Sequence, residues 1–81
     1  MHYARNPAVL WRSTSRGPVL LVPGHDDPER LGGLAAVVWE VLDEPLDLEA
    51  LCDEAMSLLD HRPDLSPCLD ALLAAGVVQL G

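Results

Sequence analysis

The first third of the chain contains two short apolar runs at strand length, and the rest has apolar residues at helical spacing. Residues 8–13 (Ala-Val-Leu-Trp-Arg-Ser) and 18–22 (Pro-Val-Leu-Leu-Val) are joined by Ser-Thr-Ser-Arg-Gly, which predicts a β-hairpin. Val9 and Trp11 share one face of the first strand because strand side chains alternate. The stretch from Pro23 to Pro28 is rich in Pro, Gly and Asp, and it predicts a turn.

Two helical patterns follow this turn. The first runs from Gly33 or Leu34 to Asp43 and is apolar nearly all round, with Glu40 as its only interior charge, which predicts a helix buried on most sides. The second begins after Asp47, a good N-cap residue, and its acidic first turn suits the helix dipole. Its apolar positions recur at helical spacing: Leu48, Leu51, Cys52, Ala55, Leu58 and Leu59.

A third helical pattern lies near the end of the chain. It begins within Pro63 to Pro67, with Asp64 or Ser66 as the cap, because a proline is tolerated only in the first turn of a helix. Gly76 predicts its end, since glycine readily adopts the conformation that stops a helix. Residues 77–80 are expected to form a short extended segment.

The size of the chain bounds its organisation. Residues 1–81 are expected to form one domain that buries roughly 60% of its unfolded surface. Leu, Val and Ala must fill the core, because aromatic residues make up only 4% of the chain and Phe is absent. The longest apolar run, Leu34 to Trp39, is too short to cross a bilayer, and the N-terminus lacks an apolar segment with a cleavage site. We therefore expect a cytoplasmic protein with no membrane partner.

Charge is distributed unevenly along the chain. The formal net charge is -8, and there is no Lys. Residues 1–30 contain four Arg and three acidic residues, whereas residues 31–81 contain Arg62 and ten acidic residues. Because nucleic-acid affinity depends on Lys and Arg displacing counterions from phosphates, this balance argues against nucleic acid as a partner.

No group of residues forms a catalytic or metal-binding pattern. The three His are scattered, and no Ser has the sequence context of a nucleophile elbow. Leu31-Gly32-Gly33-Leu34 lacks the Gly spacing and the Lys of a phosphate loop. Cys52, His61 and Cys68 lack the paired spacing of a zinc site, and both Cys fall on apolar helical positions typical of buried thiols. We expect no enzymatic activity, no metal and no cofactor.

The apolar spacings from Leu31 to Val78 resemble those of the PqqD-like family, small peptide-binding domains also called RiPP precursor recognition elements. The matching positions are Leu31, Ala35-Ala36, Val38-Trp39-x-Val41, Leu48-x-x-Leu51 and the set Leu65, Cys68, Leu69, Leu72 and Gly76-Val77. The resemblance implies a winged-helix-like α+β domain, in which a three-stranded antiparallel sheet is followed by three helices. Its third strand would be Glu29 to Gly32. Family members often carry aromatic residues just before the position of Leu31, where this chain has Asp-Pro-Glu-Arg.

The resemblance also implies a function. The chain would bind the leader segment of a ribosomally synthesised precursor peptide and present that precursor to modifying enzymes. The leader would add as a strand to the edge of the third strand, with its apolar side chains against the third helix. Arg30 would anchor an acidic residue of the leader. The implied peptide-binding residues are Glu29, Arg30, Leu31 and Gly32 on the strand, and Leu65, Cys68, Leu69 and Leu72 on the helix.

Several alternatives remain open. The partner enzyme would be a leader peptidase or cyclase of a lasso-peptide pathway, or a radical SAM enzyme of the quinone-cofactor type. The Lys-free composition, rich in Ala, Leu, Arg and Asp, suggests a GC-rich genome and favours the lasso case. An adaptor that docks an enzyme without binding a leader is a competing interpretation. A winged-helix DNA-binding protein is another, although the acidic second half of the chain disfavours it.

Overall fold

The computed structural model describes all 81 residues, which form five strands and three helices. The strands are β1 (Tyr3–Arg5), β2 (Leu10–Thr14), β3 (Gly17–Leu21), β4 (Glu29–Arg30) and β5 (Val78–Leu80). The helices are α1 (Gly33–Val41), α2 (Leu48–Leu58) and α3 (Ser66–Ala74). One antiparallel sheet has the order β2-β3-β4, and a second pairs β1 with β5. The protein is therefore α+β, with the three helices and the hairpin that the sequence pattern predicts and the third strand that the resemblance implies.

The predicted order of three strands followed by three helices is incomplete, because a second sheet joins the two ends of the chain. Tyr3 lies opposite Leu80, and Arg5 lies opposite Val78. Tyr3 also exchanges backbone hydrogen bonds with Leu46, at 2.7 and 3.0 Å. Strands of three residues are too short to show an alternating pattern, and local spacing carries no information about pairing between distant segments. The C-terminal extended segment was expected, but its partner strand was not.

Gly17 allows β4 to lie close to the hairpin of β2 and β3. Its φ of 106° is a conformation that residues with a side chain rarely adopt. A Cβ atom at this position would lie only 2.8 Å from the backbone oxygen of Leu31. Glycine at position 17 therefore permits both the turn between β2 and β3 and the close approach of Leu31, which follows β4.

The start of α2 and the end of α3 follow local sequence signals, whereas the N-cap of α3 is Leu65 and not the predicted Asp64 or Ser66. The side chain of Asp47 accepts a hydrogen bond from the backbone N–H of Ala50 at 2.8 Å, which confirms the predicted N-cap. At the end of α3, Gly76 has a φ of 78° and its N–H donates to the carbonyl of Leu73. The N–H of Val77 donates to the carbonyl of Leu72, which completes a Schellman motif.

Helix α1 lies at the centre of the molecule, where it packs against α2, α3 and β3. Only Val38 and Trp39 of this helix are fully buried, and Gly33 and Glu40 are exposed, so the burial expected on most sides is partial. Several of its other apolar residues are half-buried against the core, since a small domain has too few elements to surround a helix. No helix of the protein has the length and apolarity needed to span a membrane.

Candidate functional site

The outer edge of β4 carries free backbone groups. The N–H of Leu31 donates to the carbonyl of Pro18 in β3 at 3.0 Å. Because successive residues of a strand direct their N–H and C=O groups to opposite sides, those of Arg30 face away from β3. No strand lies beyond β4 in the sheet. The backbone of Arg30 is therefore available to an added strand.

The four predicted strand residues differ in their surroundings. Glu29, Arg30 and Gly32 are exposed, whereas Leu31 is buried in the core. The Oε1 atom of Glu29 lies 2.9 Å from Nδ1 of His25, and Arg30 forms no ion pair. Gly32 is the N-cap residue of α1, and because it has no side chain it cannot accept hydrogen bonds from the free N–H groups at the start of that helix. The edge thus presents one unpaired cation and one carboxylate that already has a partner.

Helix α3 contributes to the core at the positions that were expected to line a groove. Leu65, Leu69 and Leu72 are at most 6% exposed, and each belongs to the main apolar cluster. The prediction that these leucines offer an open binding surface does not agree with their burial. Helical spacing identifies the apolar face of α3, but it cannot tell whether that face meets the core or a ligand. Of the four predicted helix residues, only Cys68 is partly exposed.

No groove connects β4 with α3. The helix packs against α1 and β5, and β4 packs against β3. The three surface cavities lie elsewhere, and none is lined by a predicted site residue. One of them, lined by Leu10, Val19 and Leu21 among others, lies on the three-stranded sheet. The strand edge that the resemblance implies is therefore present without the apolar cleft beside it.

The outer edge of β2 is a longer free edge, which the sequence interpretation did not identify. All five residues of β2 are exposed, and β3 is its only partner strand. The backbone N–H and C=O groups of Leu20 are directed toward β4, so those of Val19 are directed toward β2. Val19 therefore exchanges backbone hydrogen bonds with Arg12, which lies opposite it. The backbone groups of Trp11 and Ser13 therefore face outward, and neither residue makes a backbone hydrogen bond outside its strand.

Arg5 lies between two tryptophan rings beside β2. Its guanidinium carbon is 4.7 Å from the ring centroid of Trp11 and 4.8 Å from that of Trp39. Nε and Nη2 of Arg5 donate to the backbone carbonyl of Trp39, near the C-terminus of α1, at 2.9 and 2.6 Å. No carboxylate pairs with this cation, and Nη1 has no hydrogen-bond partner. The absence of acidic residues before Asp26 was the sequence signal for an uncompensated charge here.

The two cysteines and Arg62, which is the only arginine after Arg30, are in surroundings that suit a structural role. Cys52 is buried and Cys68 half-buried, and both are free thiols. Burial raises the pKa of the Cys68 thiol, so a smaller fraction of it is thiolate at neutral pH. Arg62 donates a hydrogen bond to Asp53, which raises the pKa of this exposed guanidinium further above neutrality. No cluster of three or more His, Cys, Asp or Glu side chains is placed to hold a metal ion.

Comparison with protein-family models, with curated proteins and with solved structures finds no match to this chain.

Proposed function

We propose that the protein binds the leader segment of a ribosomally synthesised precursor peptide by strand addition at the outer edge of β4. It would then present the precursor to a modifying enzyme in the cytoplasm. The winged-helix-like arrangement and the lasso-peptide setting, both expected from the sequence resemblance, belong to this proposal. The observation that carries it is the free edge, where the N–H and C=O of Arg30 face away from β3.

The charges at this edge favour a peptide with an acidic residue. Arg30 is exposed and forms no ion pair, so it can meet a carboxylate without losing an existing partner. Exposed ion pairs contribute only about 0 to 1 kcal/mol, and the backbone must therefore supply much of the affinity. Because β4 has two residues, the main chain offers few hydrogen bonds.

The contribution of α3 differs from the one expected from the sequence. Leu65, Leu69 and Leu72 are packed in the core, and Cys68 is the predicted residue with surface that a ligand can reach. A leader bound at the edge of β4 would reach the leucines of α3 only if this helix moved away from α1. Such a movement would expose the buried leucines, and it would appear as faster amide hydrogen exchange in α3.

The first test is whether a short precursor-peptide gene lies beside this one, and the second is a titration with the synthetic leader segment that such a gene would encode. Backbone amide shifts should change around Arg30, and deleting the core segment of the precursor should leave the affinity unchanged. Arg30→Pro removes the outward N–H, whereas Arg30→Ala removes the side chain and keeps the N–H. We expect Arg30→Pro to weaken binding about fivefold beyond Arg30→Ala, since one backbone hydrogen bond contributes about 1 kcal/mol.

Two results would contradict leader binding at β4. The first is an affinity, measured by calorimetry, that requires the core segment of the precursor. The second is equal binding by the Arg30→Pro and Arg30→Ala variants, with both folded by circular dichroism.

A further inference from the structure

The outer edge of β2 offers two residues with outward-facing backbone groups, Trp11 and Ser13, on a strand of five exposed residues. Natural edge strands are usually shielded from pairing by charged side chains, especially Lys, or by Pro, bulges or shortness. In β2, whose sequence is Leu-Trp-Arg-Ser-Thr, only Arg12 is of this kind, and its charge repels a basic strand but attracts an acidic one. Its Leu10 is 68% exposed and Trp11 is 40% exposed. The edge therefore has both free hydrogen-bonding groups and uncovered apolar surface.

The charged residues of β1 and β2 are both arginines. Arg5 lies over the Trp11 ring, and Arg12 lies on the opposite face of β2 beside Leu10. Neither arginine forms an ion pair, and no acidic residue precedes Asp26 in the chain. A strand added next to β2 would place alternate side chains near Arg5 and near Arg12. Acidic side chains on either face of that strand would therefore meet an unpaired cation.

We propose that the outer edge of β2 binds an extended acidic segment of another polypeptide by strand addition. A second copy of this chain is a poorer occupant, because pairing β2 with β2 would bring Arg5, Arg12 and Arg16 of both copies together. An acidic segment instead neutralises these charges while its apolar residues cover Leu10 and Trp11. The inference does not rest on leader binding at β4, since the two edges lie on opposite sides of the sheet.

The probe is an end-capped hexapeptide of alternating Glu and Val. In either register, its Glu side chains reach Arg5 or Arg12. The backbone amides of residues 10–14 should shift on titration, and the affinity should fall as salt is added. A Lys–Val hexapeptide controls for charge. A Glu–Val peptide with every backbone amide N-methylated controls for main-chain pairing, because methylation at alternate residues alone would leave one edge of the peptide free.

Matched proline substitutions locate the site. Ser13→Pro removes an outward N–H from β2 without removing a bond to β3, and Arg30→Pro does the same at β4. We expect Ser13→Pro to weaken binding of the Glu–Val peptide at β2, followed by the amide shifts of residues 10–14, about fivefold relative to Ser13→Ala. Arg30→Pro changes only the shifts around β4 and leaves the affinity reported by residues 10–14 unchanged. The N-methylated and Lys–Val peptides should not bind measurably.

Three outcomes would overturn the proposal. The first is the absence of Glu–Val binding to the folded protein, and the second is binding that N-methylation of the peptide leaves unchanged. The third is a dimer in analytical ultracentrifugation that Ser13→Pro dissociates, because a second copy would then occupy the edge.

Discussion

The two free edges of the three-stranded sheet differ in length and in protection. Strand β4 has two residues, follows Pro28 and carries Glu29, whose carboxylate is paired with His25. Strand β2 has five exposed residues, among them the apolar Leu10 and Trp11 and the unpaired Arg12, and it has no acidic residue. Short edges resist unwanted pairing, and longer edges with exposed apolar residues invite it. Physical chemistry thus favours β2 as the stronger strand acceptor, whereas the resemblance between sequences points to β4.

The largest expected effect comes from α3, which decides whether β4 has an apolar wall beside it. Leu69→Ala should lower the free energy of unfolding by about 2 to 5 kcal/mol, because the substitution leaves a cavity in the core. Urea unfolding measures this loss. Cys68→Ala, one position away and half-buried, should cost much less. If the Leu69→Ala protein had normal stability but bound the leader more weakly, Leu69 would line a groove next to β4 as the resemblance implies.

Gly17→Ala should destabilise the protein and loosen β4 while leaving the β2 edge in place. The positive φ costs roughly 1 to 3 kcal/mol for a residue with a side chain, and the added Cβ would also meet the oxygen of Leu31 at 2.8 Å. Gly24→Ala is the matched control, since its φ is also positive but nothing lies within 4 Å of the added atom. Thermal unfolding and hydrogen exchange at Leu31 should separate the two variants. Equal effects would show that the contact with Leu31 is unimportant.

Arg30→Glu should weaken a leader that carries an acidic residue next to β4, by up to roughly fivefold, with little change in melting temperature. The charge is exposed and forms no ion pair in the free protein. Calorimetry at low salt gives the affinity, and Arg12→Glu is the control on the other edge. If Arg12→Glu weakened the same leader and Arg30→Glu did not, the leader would bind at β2.

The smallest expected effect concerns the Cys68 thiol beside the predicted groove. Because burial raises its pKa, less thiolate is present near neutral pH, and alkylation should be slower than in the urea-unfolded protein. The folded state retains this proton to higher pH, so its contribution to stability is lost as pH rises through the raised pKa. A Cys52→Ser background isolates this thiol for iodoacetamide kinetics. Protection of Cys68 by a bound leader would place that leader against α3.

Much of the fold could be predicted because its signals are local. The hairpin around Gly17, the Asp47 cap and the glycine stop at Gly76 each depend on residues within a few positions of one another. The third strand was not visible in the pattern and came from the resemblance. Strand β1 was missed, since its pairing with β5 joins opposite ends of the chain.

The candidate site was less predictable for a physical reason. An apolar helix face looks the same in sequence whether it packs against a core or against a ligand. Leu69 and Leu72 could therefore be assigned to α3 and Leu65 to its start, but the structure was needed to place them in the core. The same holds for Arg5, whose position between Trp11 and Trp39 depends on how β1, β2 and α1 come together.

The sequence by itself determined the helices, the hairpin, the acidic second half and the acid-free beginning of the chain, because these follow from local spacing and composition. Only the tertiary structure decided which backbone groups stay free and which apolar residues are buried. Edge character depends on the order of strands in a sheet, and burial depends on packing between distant segments. Neither quantity can be read from the neighbours of a residue in the chain.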